Sequence, residues 1–303
     1  MNSHLYRGRF APSPTGPLHF GSLVAAISSY AQARQQQGIW LLRIEDVDLP
    51  RCDPQSTSLI LDALETYGMH WDEEIIYQSQ RNDVYQAALD KLQSDNNCYG
   101  CACSRKQINE NTTSENKTLI YPGTCRDGLA EGKAARSIRL RTNNEEIAFC
   151  DILQGDFSQN ILDEVGDFVI KRADNFFAYQ LAVVVDDEEQ GITEIVRGSD
   201  MLDSTPRQIF LQQRLGYSTP RYMHTPLAIN PDGTKLSKQN KASPVDLDNP
   251  RPTLIKALDF LCQHPPDELQ ECNIDSIWEW AIQHWSVKSI PAKQGILYNE
   301  TDE

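Results

Sequence analysis

Arg9-Phe10-Ala11-Pro12-Ser13-Pro14-Thr15-Gly16-Pro17-Leu18-His19-Phe20-Gly21-Ser22 separates an extended pattern from a helical one. Tyr6 to Phe10 reads as a short strand. Three prolines and a glycine then forbid helix across residues 11–17. Beyond them Leu23, Ile27, Tyr30 and Ala31 recur at three- and four-residue spacing, which predicts a helix from about Phe20 to Gln36, ended by Gly38. The apolar run Ile39 to Ile44 reads as a second strand. Strand, loop, helix, strand is a βαβ unit. It implies an α/β fold with a parallel sheet and helices on its faces.

The same stretch carries chemistry. The end of a parallel strand, just before a helix, is where α/β sheets bind ligands. The helix start offers free amides and a positive dipole end to phosphate. Gly21 would let a nucleotide approach the backbone, and His19 could hydrogen-bond phosphate oxygens as charge builds. Alone, the stretch fits equally well a proline-rich surface loop with a capping histidine. A second motif changes that balance. Lys235-Leu236-Ser237-Lys238-Gln239 follows the turn Pro231-Asp232-Gly233. Two lysines flanking a hydroxyl can clamp a triphosphate from a distant loop; by themselves they read as an exposed basic turn. The two motifs come in the order expected for a nucleotide site closed by a loop.

Working outward, helices are expected at Ser56–Tyr67, Arg81–Leu92 and from Thr205 to Gly216, where Thr205-Pro206 marks a helix start. Residues 95–132 are polar, rich in Asn, Thr and Ser, and hold Cys98, Cys101, Cys103 and Cys125, four of the eight cysteines. This reads as an insertion with its own local staple. Ser137–Arg141 and Ile147–Ile152 read as strands that could form a hairpin. The α/β pattern resumes near Phe176, with apolar Ala182–Val185 and a strand at Ile192–Val196. Short helices are expected at Pro252–Leu261 and Asp275–Trp285. Three of the five tryptophans lie in this tail. The expected divisions are 1–95 and 176–243 for the two halves of the catalytic domain, 96–175 for the insertion, and 244–303 for a small C-terminal helical subdomain.

Composition bounds the function. A chain of 303 residues with 40% hydrophobic content can bury a sizeable core. The net charge of −15, from 28 basic and 43 acidic residues, speaks against a protein that coats nucleic acid non-specifically. No run approaches the roughly 18 apolar residues of a membrane span. The polar N-terminus lacks a signal core, so a cytoplasmic location without a membrane partner is expected. In a reducing compartment bunched thiols suggest zinc rather than disulfides. Cys52, Cys150, Cys262 and Cys272 are scattered and read as packing cysteines.

Taken together, the motifs resemble the class I aminoacyl-tRNA synthetases of the glutamyl type. The residues that carry the resemblance are Arg9 to Gly16, His19 with Gly21, Arg43-Ile44-Glu45-Asp46-Val47-Asp48 with Arg51, Tyr179, Glu194-Ile195-Val196-Arg197-Gly198-Ser199-Asp200, and the lysine loop. It implies a Rossmann-type catalytic domain that activates L-glutamate with ATP and Mg²⁺. It also implies an ATP site at His19, Gly21, Ser22, Lys235, Ser237 and Lys238, with His19, Lys235 and Lys238 catalytic. Arg9, Phe10, Ala11, Pro12, Ser13, Glu45, Tyr179 and Arg197 would hold glutamate. The chemistry agrees, because Arg9 and Arg197 can grip carboxylates and Glu45 can pair with an ammonium. Which arginine takes which carboxylate stays open. Asp46 and Asp48 read better as structural, and His224 as an adenine contact.

The sequence departs from the family at Ser22, Leu236 and Gln239, where His, Met and Ser are usual. Only residues 240–303 follow the lysine loop, where glutamyl-tRNA synthetases carry a long anticodon-binding region. That resembles the truncated branch, the glutamyl-Q tRNA(Asp) synthetases. Its members transfer glutamate to queuosine at the wobble position of tRNA(Asp). The alternatives are a compact or discriminating synthetase that charges a tRNA 3′ end, an inactive zinc-bearing RNA-binding paralogue, and a small-molecule adenylyltransferase. A monomer is expected. The resemblance also implies one structural zinc ion on Cys101, Cys103, Tyr121 and Cys125, with Cys98 a competing fourth ligand.

Overall fold

Strands β1 (Arg7–Phe10) and β2 (Ile39–Ile44) run parallel, with Arg7 beside Ile39 and Phe10 beside Leu42. Between them lie the proline-rich loop and helix α1 (Phe20–Gln35). In this computed structural model the described residues are 5–110, 120–236 and 243–298, so Ser237 and Lys238 lie outside them. The short β3 (Ile76–Tyr77), reached through α2 (Pro54–Thr66), extends the sheet on the far side of β2. Helix α3 (Asn82–Ser94) leads into the insertion.

The insertion opens with β4 (Cys98–Cys101) and the short α4 (Arg105–Glu110). Strands β5 (Ser137–Leu140), β6 (Glu146–Asp151) and β7 (Gly155–Asn160) follow, then α5 (Ile161–Glu164) and β8 (Val169–Lys171). The expected hairpin of Ser137–Arg141 with Ile147–Ile152 does not form. β5 pairs antiparallel with β4 and β8, while β6 pairs with β7. The tight turn at Leu153 and Gln154 makes β7 the nearer partner, and Asp151 stabilises that turn by accepting from both amides, at 3.0 and 2.9 Å.

The parallel sheet resumes after α6 (Tyr179–Glu189), which contains the apolar run Ala182–Val185. Strand β9 (Glu194–Gly198) lies beside β1, with the Thr193 amide donating to the Arg7 carbonyl at 2.9 Å. β10 (Arg221–Thr225) pairs parallel with β9, after α7 (Thr205–Leu215). Pro206 lies in the first turn of α7, and Gly216 ends it in the left-handed region, φ 73°. In the tail, α8 (Pro250–Phe260) and α9 (Ile274–His284) close on α1. The final β12 (Gly295–Leu297) runs parallel to β11 (Leu227–Ile229).

One apolar core joins α1, α2 and the tail helices, a second joins α3, α6, α7 and the base of the insertion, and a small third gathers Cys101, Tyr121 and Cys125. Buried tryptophans anchor the tail with satisfied indoles. Trp278 Nε1 donates to the Tyr67 carbonyl at 2.7 Å, and Trp285 Nε1 to Gln32 Oε1 at 3.0 Å. Among the described residues, no helix is long and apolar enough to cross a membrane.

Candidate active site

The carboxyl ends of β1, β2 and β9 open onto two adjoining chambers, of about 650 and about 530 Å³. Phe10, Ser13, Ala25, Asp200 and Lys235 line both. The larger contains the start of α1. His19 is its N-cap, and His19 and Ser22 form a reciprocal capping box. The Ser22 amide donates to His19 Nδ1 at 3.4 Å, and the His19 amide donates to Ser22 Oγ at 2.8 Å. Ser22, where the family's pattern has histidine, therefore orders the helix start. With Nδ1 accepting, the proton of neutral His19 sits on Nε2. A Cβ on Gly21 would meet His19 Cε1 at 3.2 Å and the Leu236 carbonyl at 3.4 Å. The glycine thus lets the histidine ring and the lysine loop come together. Lys235 Nζ reaches Asp200 Oδ2 at 2.5 Å.

The smaller chamber is lined by charge. Arg9, Glu45, Tyr179 and Arg197, far apart in sequence, meet here beside Ala11 and Ser13. Pro12 lines the larger chamber, its carbonyl accepting from the Glu45 amide at 3.0 Å. Arg9 is buried, with Nε and Nη2 on Asp187 at 3.1 and 3.2 Å, so that edge is already engaged. Asp187 also accepts from Arg43 Nη2 at 2.8 Å. Burial alone would raise the Asp187 carboxyl, but Arg9 and Arg43 outweigh it and hold the carboxyl below its ordinary value. Glu45 is the opposite case. Burial dominates over Arg43 and Arg9 and pushes its pKa up to about 7. Its nearest cation, Arg43 Nη2, stands 3.6 Å away, and Glu45 Oε1 has no hydrogen-bond partner although buried.

Arg197 is held on three sides. Nε donates to His224 Nε2 at 3.0 Å, Nη2 donates to Thr205 Oγ1 at 2.8 Å, and the guanidinium lies over the Tyr222 ring at 5.4 Å. Nη1 is buried without a partner. His224 does not face the nucleotide chamber, which corrects the adenine assignment. It is fully buried, stacked on Tyr222, with Nδ1 on Asp151 Oδ2 at 2.6 Å. Burial, reinforced by the Arg197 charge, outweighs Asp151 and lowers the pKa of His224, so the ring is neutral.

Asp46 accepts from the Ser79 amide and hydroxyl at 2.8 and 2.6 Å, and Asp48 pairs with Arg172 at 2.9 Å and Arg51 at 3.2 Å. Both aspartates are engaged in structural contacts. Sequence reading missed Asp187, Asp151 and Thr205, and gave Arg43 no role. A pair of aspartates, Asp186-Asp187, ending the apolar run Leu181–Val185 was the available signal.

In the insertion the Cys101, Cys103 and Cys125 sulfurs all lie within 4.8 Å of one another. Tyr121 Oη stands 3.3 Å from Cys101 Sγ and 3.6 Å from Cys103 Sγ, and Cys103 and Cys125 are 3.6 Å apart. Burial would raise the Cys101 thiol, but hydrogen bonds from Tyr121 and Arg139 lower it to about 7. Cys98 is not in this group. It is buried in the core under α3, where burial pushes its thiol up to about 11.

The family model for the class I tRNA synthetases (E and Q), catalytic domain, matches residues 6–281. The chain belongs to this family. It is 52% identical over 299 residues to the glutamyl-Q tRNA(Asp) synthetase of Dechloromonas aromatica, covering 98% of this chain and 99% of that one. It is 50% identical to the enzyme of the same name from Pseudomonas fluorescens, covering 95% of each chain. Among solved structures, the fold matches the glutamate-tRNA synthetase of Elizabethkingia anophelis with a TM-score of 0.82 at 24% identity. That match covers 98% of this chain and 68% of the other. A glutamate tRNA ligase from Elizabethkingia meningosepticum, solved in complex with its amino acid, matches with a TM-score of 0.80 at 25% identity. There the cover is 97% of this chain and 67% of that one.

Proposed function

We propose that this class I synthetase activates L-glutamate with ATP and transfers the glutamyl group to queuosine in tRNA(Asp). The carrying observation is a pair of unsatisfied buried groups in one chamber. Arg197 Nη1 is a donor without an acceptor, and Glu45 Oε1 is an acceptor without a donor. Leaving such groups buried costs about 1–3 kcal/mol each, more when charged. A ligand that supplies a carboxylate and an ammonium satisfies both. Relatives at about half identity over the whole chain carry the queuosine-specific name, and that supports the tRNA half of the reading.

In the first step a glutamate carboxylate oxygen attacks the α-phosphorus, and the bond to the bridging oxygen breaks as pyrophosphate leaves. ATP enters as its Mg²⁺ complex, whose cation offsets phosphate charge. His19 Nε2–H, the Gly21 amide, Lys235, and Lys238 with Ser237 of the lysine loop stabilise the developing charge, with Ser22 holding the helix start. Arg9, Arg197, Glu45 and Tyr179, with Phe10, Ala11, Pro12 and Ser13 as chamber wall, orient glutamate. In the second step a queuosine hydroxyl attacks the acyl carbon, the bond to the phosphate oxygen breaks as AMP leaves, and the hydroxyl proton passes to the departing phosphate. The mixed anhydride is already reactive, so the protein's contribution is mainly positioning. The decisive experiment is glutamate-dependent ATP–pyrophosphate exchange, followed by transfer to tRNA(Asp) from cells with and without queuosine. Exchange and transfer to the modified tRNA alone are expected. Equal transfer to unmodified tRNA would point to 3′-end charging instead.

The thiol cluster fits one structural zinc ion on Cys101, Cys103, Tyr121 and Cys125. Tetrahedral Zn–S bonds of about 2.3 Å place sulfurs about 3.8 Å apart, close to the 3.6 Å between Cys103 and Cys125. The ion would cross-link an insertion with little apolar core of its own. One zinc per chain is expected by mass spectrometry, reduced in Cys103→Ser. A metal-free protein purified without chelator would refute it. Reduced thiols fit the cytoplasm as the site of action.

A further inference from the structure

We infer that Asp151 and His224 are positioning residues for a substrate carboxylate, acting through Arg197. The inference deepens the glutamate reading and rests on it. Asp151 comes from the insertion, at the end of β6, and His224 from the end of β10 in the parallel sheet. The relay thus ties the insertion to the chamber. Its logic lies in which atoms donate.

Asp151 Oδ1 accepts three backbone amides, from Leu153 at 3.0 Å, Gln154 at 2.9 Å and His224 at 3.2 Å. That leaves Oδ2 alone to face His224 Nδ1 at 2.6 Å. A carboxylate only accepts, so Nδ1 carries the proton. Nε2 then presents a lone pair, and it takes the Nε–H of Arg197 at 3.0 Å. Thr205 Oγ1 takes Nη2 and stands 3.2 Å from both the Met201 carbonyl and His224 Nε2; with the Nε2 lone pair taken by Arg197, its own proton goes to the carbonyl. With Nε and Nη2 engaged and the Tyr222 face beneath, the planar guanidinium has one orientation. In it Nη1 is the single nitrogen without a partner. An arginine so fixed meets a carboxylate without losing side-chain freedom at binding.

Asp151→Asn tests the relay with little change of shape. The three amides hold the Asn oxygen at Oδ1, so its NH₂ replaces Oδ2. His224 Nδ1 must then accept, its proton moves to Nε2, and Nε2–H confronts the Nε–H of Arg197. Glutamate KM in pyrophosphate exchange is expected to rise tenfold or more, with ATP KM unchanged. Nitrogen NMR of the His224 ring should show the proton moving from Nδ1 to Nε2. His224→Gln keeps an acceptor where Nε2 stands and should retain a near-normal glutamate KM. His224→Asn keeps only the donor to Asp151 and should behave as Asp151→Asn. A purely structural role would not separate these two histidine variants. Arg197→Ala is the control. If it raises glutamate KM while Asp151→Asn does not, the relay is overturned and the site reading stands. If neither changes glutamate KM, the site reading falls and the relay with it.

Discussion

The two chambers of the cleft are built on opposite principles. The nucleotide chamber is made mostly of one contiguous stretch, and its anion-binding power comes from a helix start, a capping histidine and a glycine. The charged chamber takes Arg9 from β1, Glu45 just after β2, Tyr179 from α6 and Arg197 from β9, with Arg43 of β2 and Asp187 of α6 buried behind its wall. Backbone amides come preformed with the helix and carry no ionic desolvation cost. Buried side-chain ions must be paired into a network before they can receive a ligand. The charged chamber should therefore fail through stability, and the nucleotide chamber through rate.

The largest expected effect tests that contrast directly. Asp187→Ala leaves Arg9 and Arg43 buried without their shared carboxylate. Breaking a buried pair by removing one partner costs about 3–5 kcal/mol, measurable as a lower denaturation midpoint. Stability within 1 kcal/mol of the parent would mean that the arginines find water or other partners, and the contrast would collapse. In the nucleotide chamber His19→Ala should cost only about 1 kcal/mol, the value of a helix cap. Its kcat in pyrophosphate exchange should nevertheless fall about 10²–10³-fold, as when a charge-stabilising donor is removed.

Glu45 sets a smaller, pH-dependent effect. Its ordinary value of 4.5 is raised by burial to about 7. The ionised form, which faces the substrate ammonium, therefore dominates only above about pH 7. Glutamate KM should fall as pH rises through 7, by up to tenfold per unit on the acidic side. Stability runs the other way. The unfolded chain releases this proton near 4.5 while the folded chain keeps it to about 7. The stabilising contribution is thus full below 4.5 and declines as pH rises to 7. Glu45→Gln should flatten both profiles; a KM profile that stays steep in that variant would assign the titration elsewhere.

The same contrast explains what could be read from the sequence. The nucleotide chamber was legible because Pro12 to Ser22 hold its elements in one stretch, where proline, glycine and helix periodicity have local meanings. The family resemblance named Arg9, Glu45, Tyr179 and Arg197, and the fold brings them to one chamber. Nothing local reveals that Asp187 occupies one edge of Arg9, or that Asp151 reaches His224 from 73 residues away. Those are long-range pairings, decided by which strands become neighbours. The misjudged hairpin has the same origin: alternating residues mark Ser137–Arg141 as a strand without saying that β4 and β8 are its partners.

Gly21→Ala carries the smallest expected effect and is the finest probe of the contrast. At the second position of α1, alanine is favoured over glycine in helix propensity, by up to about 1 kcal/mol. The new Cβ meets the His19 ring at 3.2 Å and the Leu236 carbonyl at 3.4 Å. Those contacts are tight but not prohibitive, so the strain offsets the propensity and stability should hardly move. The ring must yield by a few tenths of an ångström and the loop is held at contact, and both belong to the charge-stabilising apparatus. A loss of several-fold in kcat, with glutamate KM and denaturation midpoint unchanged, would show that the nucleotide chamber depends on placement alone. If the midpoint fell instead, the glycine would be serving the helix, and the separation of rate from stability would not hold at this residue.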